Sequence, residues 1–211
     1  MSAGLRWRPI GDSGVLVDFP SLDPEAAWRR VVALDRAAVA GDGVLESCPA
    51  LVNLLVRFDP LVTDHESVGR LVESLEADDG TDLVAAEHVI GITYDGPDLA
   101  GVAAATGLDV DQVSAAHAAA SFRVRMYGFA PGYAYLDGLP EVLRLPRKPT
   151  AVRDVPAGSV IIANDQCIVT TLTMPTGWWV IGRSSTPILT PRSARPARFA
   201  VGDVVRFRGA S

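Results

Sequence analysis

Hydrophobic and polar positions change rhythm along this chain, and the change divides it. In the N-terminal part, short alternating runs interleave with stretches of helical period. RWRPI (6–10) and VLVDF (15–19), joined by GDSG, predict a hairpin. Asp23 before Pro24 predicts a helix N-cap with proline at the first helical position. Trp28, Val31, Val32, Leu34 and Ala38 then fall on one 3.6-period stripe, which GDG (41–43) ends. VLESCPALVNLLVRFDP (44–60) predicts two strand segments around Cys48-Pro49, or one bent strand. Thr63 with Glu66 has the spacing of a capping box opening a helix over HESVGRLVESLEA (65–77), and HVIGITYDG (88–96) predicts a strand. The order ββαββαβ makes this part a small α+β sandwich with helices on one face of a mostly antiparallel sheet.

The rhythm then shifts. Residues 97–122 predict two short helices joined at Thr106-Gly107-Leu108, the second opened by an Asp109/Gln112 capping box. From Phe122 onward helical spacing disappears. FRVRMYGF, GSVIIAN, QCIVTTL, GWWVIGRSS and DVVRFRG are short β runs separated by proline and glycine, the pattern of a closed barrel or sandwich. The division falls within 85–97. It is drawn as an N-terminal α+β domain, 1–87, and a β-barrel domain, 88–211, with a helical elbow at 98–120. The densest run of ring and turn residues is YGFAPGYAYLDGLP (127–140). Pro131-Gly132 suits the centre of a type II turn, and Tyr133 and Tyr135 fall on one face of the strand that follows. Such a segment fits a binding surface or a barrel rim packing its own core.

Composition narrows the chemistry. With 48% hydrophobic and 21% charged residues the chain is an ordinary globular protein, and its net charge of −6 argues against nucleic-acid backbone binding. The helix pair has the spacing of a helix-turn-helix, but its second helix offers aspartates and alanines rather than basic or amide side chains, so it reads as an elbow. No stretch reaches membrane-spanning length, the N-terminus lacks a signal-peptide core, and Cys48 and Cys167 are expected reduced in the cytoplasm. His65, His88 and His117 are too scattered for a metal motif, so no metal is expected. Cys167 reads as a core residue. Lys148, the chain's sole lysine, lies in no phosphate-binding loop and lacks the flanking methionines of a biotin carrier. The remaining candidates are His117, Arg123, Arg125, Arg153, Asn164, Gln166 and Arg183, because arginine beside an amide side chain binds a carboxylate or steadies an oxyanion.

These segments together resemble the family that groups the B subunit of 5-oxoprolinase with allophanate hydrolase subunit 1 and kinase A inhibitor. GDSGVLVDF (11–19) is similar to its N-terminal hairpin, YGFAPGYAYLDGLP to its most specific signature, VPAGSVIIANDQ (155–166) to the following barrel segment, GWWVIGRS (177–184) to an IGR element, and GDVVRF (202–207) to the closing strand. The resemblance implies a small N-terminal α/β domain followed by a cyclophilin-like β-barrel. It also implies a partner of the C type, related to allophanate hydrolase subunit 2, and for oxoprolinase a further partner of the A type. The implied reaction opens the cyclic amide of 5-oxoproline to glutamate using ATP at the level of the complex, with no ATP site identified in this chain. On this basis the expected catalytic residues are His117 (a proton carrier), Gln166 and Arg183. Phe129, Pro131, Gly132, Tyr133, Tyr135, Arg153 and Asn164 are the expected substrate-binding residues. Alternatives are a urea-carboxylase or allophanate-type carboxyltransferase component, and a non-enzymatic binder of a sensor histidine kinase. Two departures stand out. Cys167-Ile168-Val169-Thr170-Thr171 replaces a Thr-Gly-Ile-Tyr-Pro run after Gln166, and Thr176 stands where glycine is usual.

Overall fold

The structure, a computed structural model, describes residues 4–75 and 85–209. They fall into two compact units, one within Met1–Val84 and one within Ala85–Ser211.

The first unit follows its hydrophobic pattern closely. Strands β1 (Arg6–Ile10) and β2 (Gly14–Asp18) form the expected hairpin. Helix α1 (Pro24–Ala38) starts at Asp23, whose carboxylate accepts from the N–H groups of Glu25 and Ala26, and its whole predicted stripe is buried. Strands β3 (Val44–Pro49) and β4 (Asn53–Phe58) form a second hairpin, and the sheet order is β1-β2-β4-β3, antiparallel throughout. Helix α2 (His65–Ser74) is capped by Asp64, which accepts from Ser67 N, rather than by Thr63; an aspartate in extended conformation one residue later supplies the stronger acceptor. Residues 76 and 77, assigned to this helix from the sequence, lie outside the described residues. Val15 and Val17 are buried and alternate with the less buried Leu16 and Asp18, and Leu54, Val56 and Phe58 likewise alternate with Leu55 and Arg57. That period of two puts one sheet face under both helices.

The second unit takes the strand that the sequence pattern assigned to the first sheet. β5 (Glu87–Ile92) pairs in parallel with the last strand, β13 (Val204–Gly209), so that among the described residues the N-terminal sheet has four strands, with β1 and β3 at its edges. Asp203 fastens this pairing, accepting from Ala86 N and Ala200 N with His88 Nε2 2.8 Å away. Between them run α3 (Leu99–Thr106), α4 (Val110–Ala119), β6 (Phe122–Tyr127) and β7 (Ala134–Asp137). There follow β8 (Val152–Val155), β9 (Ser159–Ala163), β10 (Gln166–Val169), β11 (Met174–Thr176) and β12 (Trp179–Arg183). Seven of these strands form one sheet, ordered β12-β9-β10-β7-β6-β13-β5. Its two edges meet at Thr93 and Arg183, each donating its N–H to the other's carbonyl at 2.9 Å, which nearly closes the sheet into a barrel.

The interior holds Ile90, Ile92, Phe122, Val124, Leu136, Val160, Ile162, Cys167, Ile181 and Phe207. Each large side chain buried there contributes about 1.5–3 kcal/mol. Helices α3 and α4 join at Gly107, which takes the left-handed φ of 72°, and the Asp109/Gln112 capping box forms as expected. Instead of an elbow between domains, the pair lays Leu99, Val102 and Val113 onto the barrel core, since apolar side chains on both helices need a surface to cover. β9 is buried on both faces: Val160 and Ile162 point into the barrel, while Ile161 and Ala163 join Tyr133, Ile168, Trp178 and Val180 in a second small core. The β8–β11 ribbon, too short for the sequence pattern to reveal, supplies Val155 and Met174 to that outer core.

Candidate functional site

The barrel seam borders a cavity. After β5 the chain runs along β12: Gly96 N donates to Ile181 O, and Asp98 N to Val180 O. That approach is close enough to require two glycines, because a Cβ on Gly96 would strike the backbone of Val180 and Ile181, and one on Gly182 would strike Thr93 O. Beside the seam opens a cavity of about 570 Å³, lined by residues 95–98 on one side, Val180, Gly182 and Arg183 on another, and Lys148 with residues 152–157 on a third.

Its charged groups are layered. At the rim, Arg183 Nε lies 2.8 Å from Asp95 Oδ2, and the arginine side chain is 72% exposed. Arg153 and Asp154 are also exposed on the wall. Deeper, Lys148 Nζ donates to Asp98 Oδ2 at 2.5 Å, with the side chains only 10% and 20% exposed. Asp98 sits where a helix N-cap would, yet makes no cap; its Oδ2 accepts from Val180 N at 2.8 Å as well as from the lysine. Lys148 N is pinned to Gly177 O at 2.6 Å.

Of the residues expected from the sequence, this cavity unites Arg153 and Arg183. The others lie elsewhere. Register pairs Arg183 with Ser159 and Gln166 with Ala163, so these two sit beside opposite ends and on opposite sides of β9, offset by roughly 13 Å along the strand direction alone. Asn164 takes a positive φ of 53° in the exposed β9–β10 turn, a turn-forming role natural to asparagine. His117 is fully buried under α4, its Nδ1 2.8 Å from Tyr94 Oη and its Nε2 3.5 Å from Cys167 Sγ. Burial holds its pKa down to about 3, so the ring is neutral near pH 7. Cys167 is equally buried, which pushes its thiol pKa up and keeps it protonated.

The tyrosine-rich run builds a separate, smaller cleft. Ala130–Tyr133 closes a turn through Tyr133 N to Ala130 O, with Gly132 at φ 71° as the type II geometry demands. Phe129, Tyr133, Tyr135 and Trp178 then succeed one another with ring centroids 5.6, 6.2 and 6.1 Å apart, as walls of a cleft of about 220 Å³. Arg147 stands 5.6 Å from the Trp178 ring, and Ile168, one of the residues in the departing segment, forms part of the floor. Burial, reinforced by Tyr135, pushes the Tyr133 phenol up to about 12. Phe129 is 77% exposed, while Pro131 and Gly132 face a shallow apolar surface with Leu189 and Pro196.

Sequence reasoning missed Lys148, Asp98 and Asp95. The signal available was a sole lysine in an arginine-rich chain, whose partner lies 50 positions away disguised as a helix cap.

The profile of the carboxyltransferase domain, subdomain C and D, matches residues 5–199. The chain is 33% identical to the 5-oxoprolinase B subunit of Escherichia coli O157:H7, covering 96% of this chain and 94% of that protein. It is 30% identical to the 5-oxoprolinase B subunit of Bacillus subtilis (strain 168), covering 98% and 93%. The crystal structure of TTHA0988 superposes with a TM-score of 0.84 at 34% identity; 94% of this chain is covered but 40% of that one, so the chain spans about two fifths of that relative. The K. lactis urea amidolyase shares the fold, with a TM-score of 0.73 at 16% identity, over 100% of this chain and 15% of its own. No helix among the described residues is long and apolar enough to cross a membrane. With the match spanning nearly its whole length, the chain belongs to the carboxyltransferase-domain family, subdomains C and D.

Proposed function

We propose that this chain is the B-type subunit of a heteromeric, ATP-dependent amidohydrolase that opens the cyclic amide of 5-oxoproline to glutamate. The observation that carries the reading is the seam cavity, in which Arg153 and Arg183 stand at the rim of a space sized for a small acid. Both bacterial relatives carry the name of the 5-oxoprolinase B subunit, and that name is the basis for the substrate. The rim arginines bind the substrate carboxylate, and the ring points inward. An amide is resonance-stabilised, so its hydrolysis calls for activation of the carbonyl. ATP supplies that activation, but the seam cavity does not fit it. Asp95, Asp98 and Asp154 balance Lys148, Arg153 and Arg183 there, leaving no surplus positive charge for a polyphosphate. Nucleotide binding is therefore assigned to another component of the complex. The partners are a C-type subunit related to allophanate hydrolase subunit 2, and an A-type subunit that completes the enzyme in the cytoplasm.

The test is co-expression with the neighbouring subunit genes, purification of the complex, and measurement of ATP-dependent glutamate release from 5-oxoproline. Release that vanishes when this chain is omitted is the expected result. A stable complex without turnover would redirect the reading to urea or allophanate carboxyl transfer, and failure to form any complex would redirect it to a kinase-binding role.

A further inference from the structure

Lys148 and Asp98 form a pair that is neutral as a unit, shielded, and open on one side. The ammonium has three N–H donors, of which one meets Asp98; among the described residues it has no other partner. Asp98 Oδ2 is occupied by Lys148 and by Val180 N, whereas Oδ1 carries no hydrogen bond among the described residues. The pair thus keeps an unused donor and an unused acceptor on two joined residues that line the cavity. Both backbones are anchored, Lys148 N to Gly177 O and Asp98 N to Val180 O, so the two groups are held before any ligand arrives.

A donor beside an acceptor matches one edge of an amide in which the carbonyl oxygen and the N–H lie on the same side. A lactam or a primary amide has such an edge. An open-chain peptide bond, held trans, points them in opposite directions. We propose that Lys148 and Asp98 are the amide-reading residues of the seam cavity: Lys148 Nζ donates to the carbonyl oxygen and Asp98 Oδ1 accepts from the amide N–H. The ligand is a cyclic or primary amide bearing an acid that reaches the rim arginines. The proposal rests on the reading of the cavity as the substrate site and adds how the amide is chosen. Charge supports the division of labour, since the neutral pair suits an uncharged amide and the exposed arginines suit a carboxylate. Shielding strengthens the inner hydrogen bonds relative to those at the rim. A compact ammonium also suits this corner better than the planar fork of arginine, and this is the one cationic position in the chain where lysine is kept.

The experiment uses the full-length chain and three probes: 5-oxoproline, its N-methyl derivative, and the lactone acid in which ring oxygen replaces the N–H. Affinities come from calorimetry. In parallel, the rate of Lys148 acetylation is followed by mass spectrometry, which is unambiguous because the chain has one lysine. The expected result is that 5-oxoproline binds and protects Lys148, while the lactone and N-methyl probes bind at least about tenfold more weakly. Asp98→Asn should lose about tenfold for 5-oxoproline and abolish its preference over the lactone, whereas Lys148→Met should weaken 5-oxoproline and the lactone alike, each about tenfold, and leave the preference in place. The ligand series on the unaltered chain decides the matter even where a variant folds poorly. Equal binding of 5-oxoproline and lactone, both weakened by Arg183→Ala, would overturn amide reading and leave the substrate cavity standing. No binding and no protection by any probe would overturn both.

Discussion

His117 has a histidine's usual options removed by its surroundings. It is enclosed by Tyr94, Phe122, Phe207 and Cys167, borders none of the cavities described, and is neutral down to about pH 3. In the unfolded chain the ring titrates near 6.5, so below that value the unfolded state binds a proton that the folded state refuses. Stability is therefore complete above about pH 6.5 and is lost as pH falls towards 3, with a slope of up to about 1.4 kcal/mol per pH unit from this group. Urea melts from pH 7 to 4 should register that slope, and His117→Gln should flatten it; an unchanged slope would show that the ring finds water in the folded state. Its structural role is positional, because holding Tyr94 fixes the residue between Thr93 and Asp95 at the seam. Arg183 behaves in the opposite manner. Its ion pair with Asp95 is exposed, so Arg183→Ala should cost less than about 1 kcal/mol of stability. The same change should weaken 5-oxoproline binding about tenfold by calorimetry, and full retention of affinity would remove the arginine from the site.

The seam is the element on which the cavity depends, and it separates two glycines that look alike in sequence. A Cβ at Gly182 would run into Thr93 O and Ile92, whereas one at Gly91 would meet nothing within 4 Å. Gly182→Ala should destabilise by about 1–3 kcal/mol and widen the barrel closure, while Gly91→Ala should be neutral or slightly stabilising. Denaturant melts of the two variants distinguish the outcomes, and equal melts would mean that the seam is not the tight point. The same contrast explains what can be read in advance. The α1 stripe, the β1–β2 hairpin, the capping box of α4 and the turn at Pro131-Gly132 are local patterns, and they form as their periods and turn residues require. The break expected at Cys48-Pro49 falls instead at residues 50–52, leaving both residues inside β3. The cap of α2 lies one residue beyond its expected place because Thr63 and Asp64 offer competing oxygens. The Thr93–Arg183 bridge joins positions far apart in sequence through two hydrogen bonds and leaves no period to detect. The neighbours of Lys148 in PRKPT give no hint of chemistry, because its chemistry comes from Asp98 on the far side of that bridge. Arg153 and Arg183 are legible as residue types, but the register of β9 that parts Arg183 from Gln166 is a property of pairing, not of either strand alone.

At the scale of the whole molecule, the described residues contain separate hydrophobic cores in each unit. Val15, Val17, Leu34, Leu54, Val56 and Phe58 pack together in the first; Ile90, Phe122, Leu136, Ile162 and Phe207 pack together in the second. Stability in such a chain is distributed by unit, because deleting a buried side chain removes contacts only where it packs. Leu54, fully buried in the first core, provides the test. Leu54→Ala should destabilise that unit by about 2–5 kcal/mol through lost burial and the cavity left behind. Hydrogen exchange followed by mass spectrometry should then show faster exchange in peptides from β2, α1 and β4 and unchanged protection in β9 and β10. Affinity for 5-oxoproline should also hold, since every residue lining the seam cavity belongs to the second unit. Loss of protection in both units together would mean that they unfold as one cooperative body. In that case the effect of any seam substitution on ligand affinity would have to be judged against the stability of the entire chain rather than of the barrel alone.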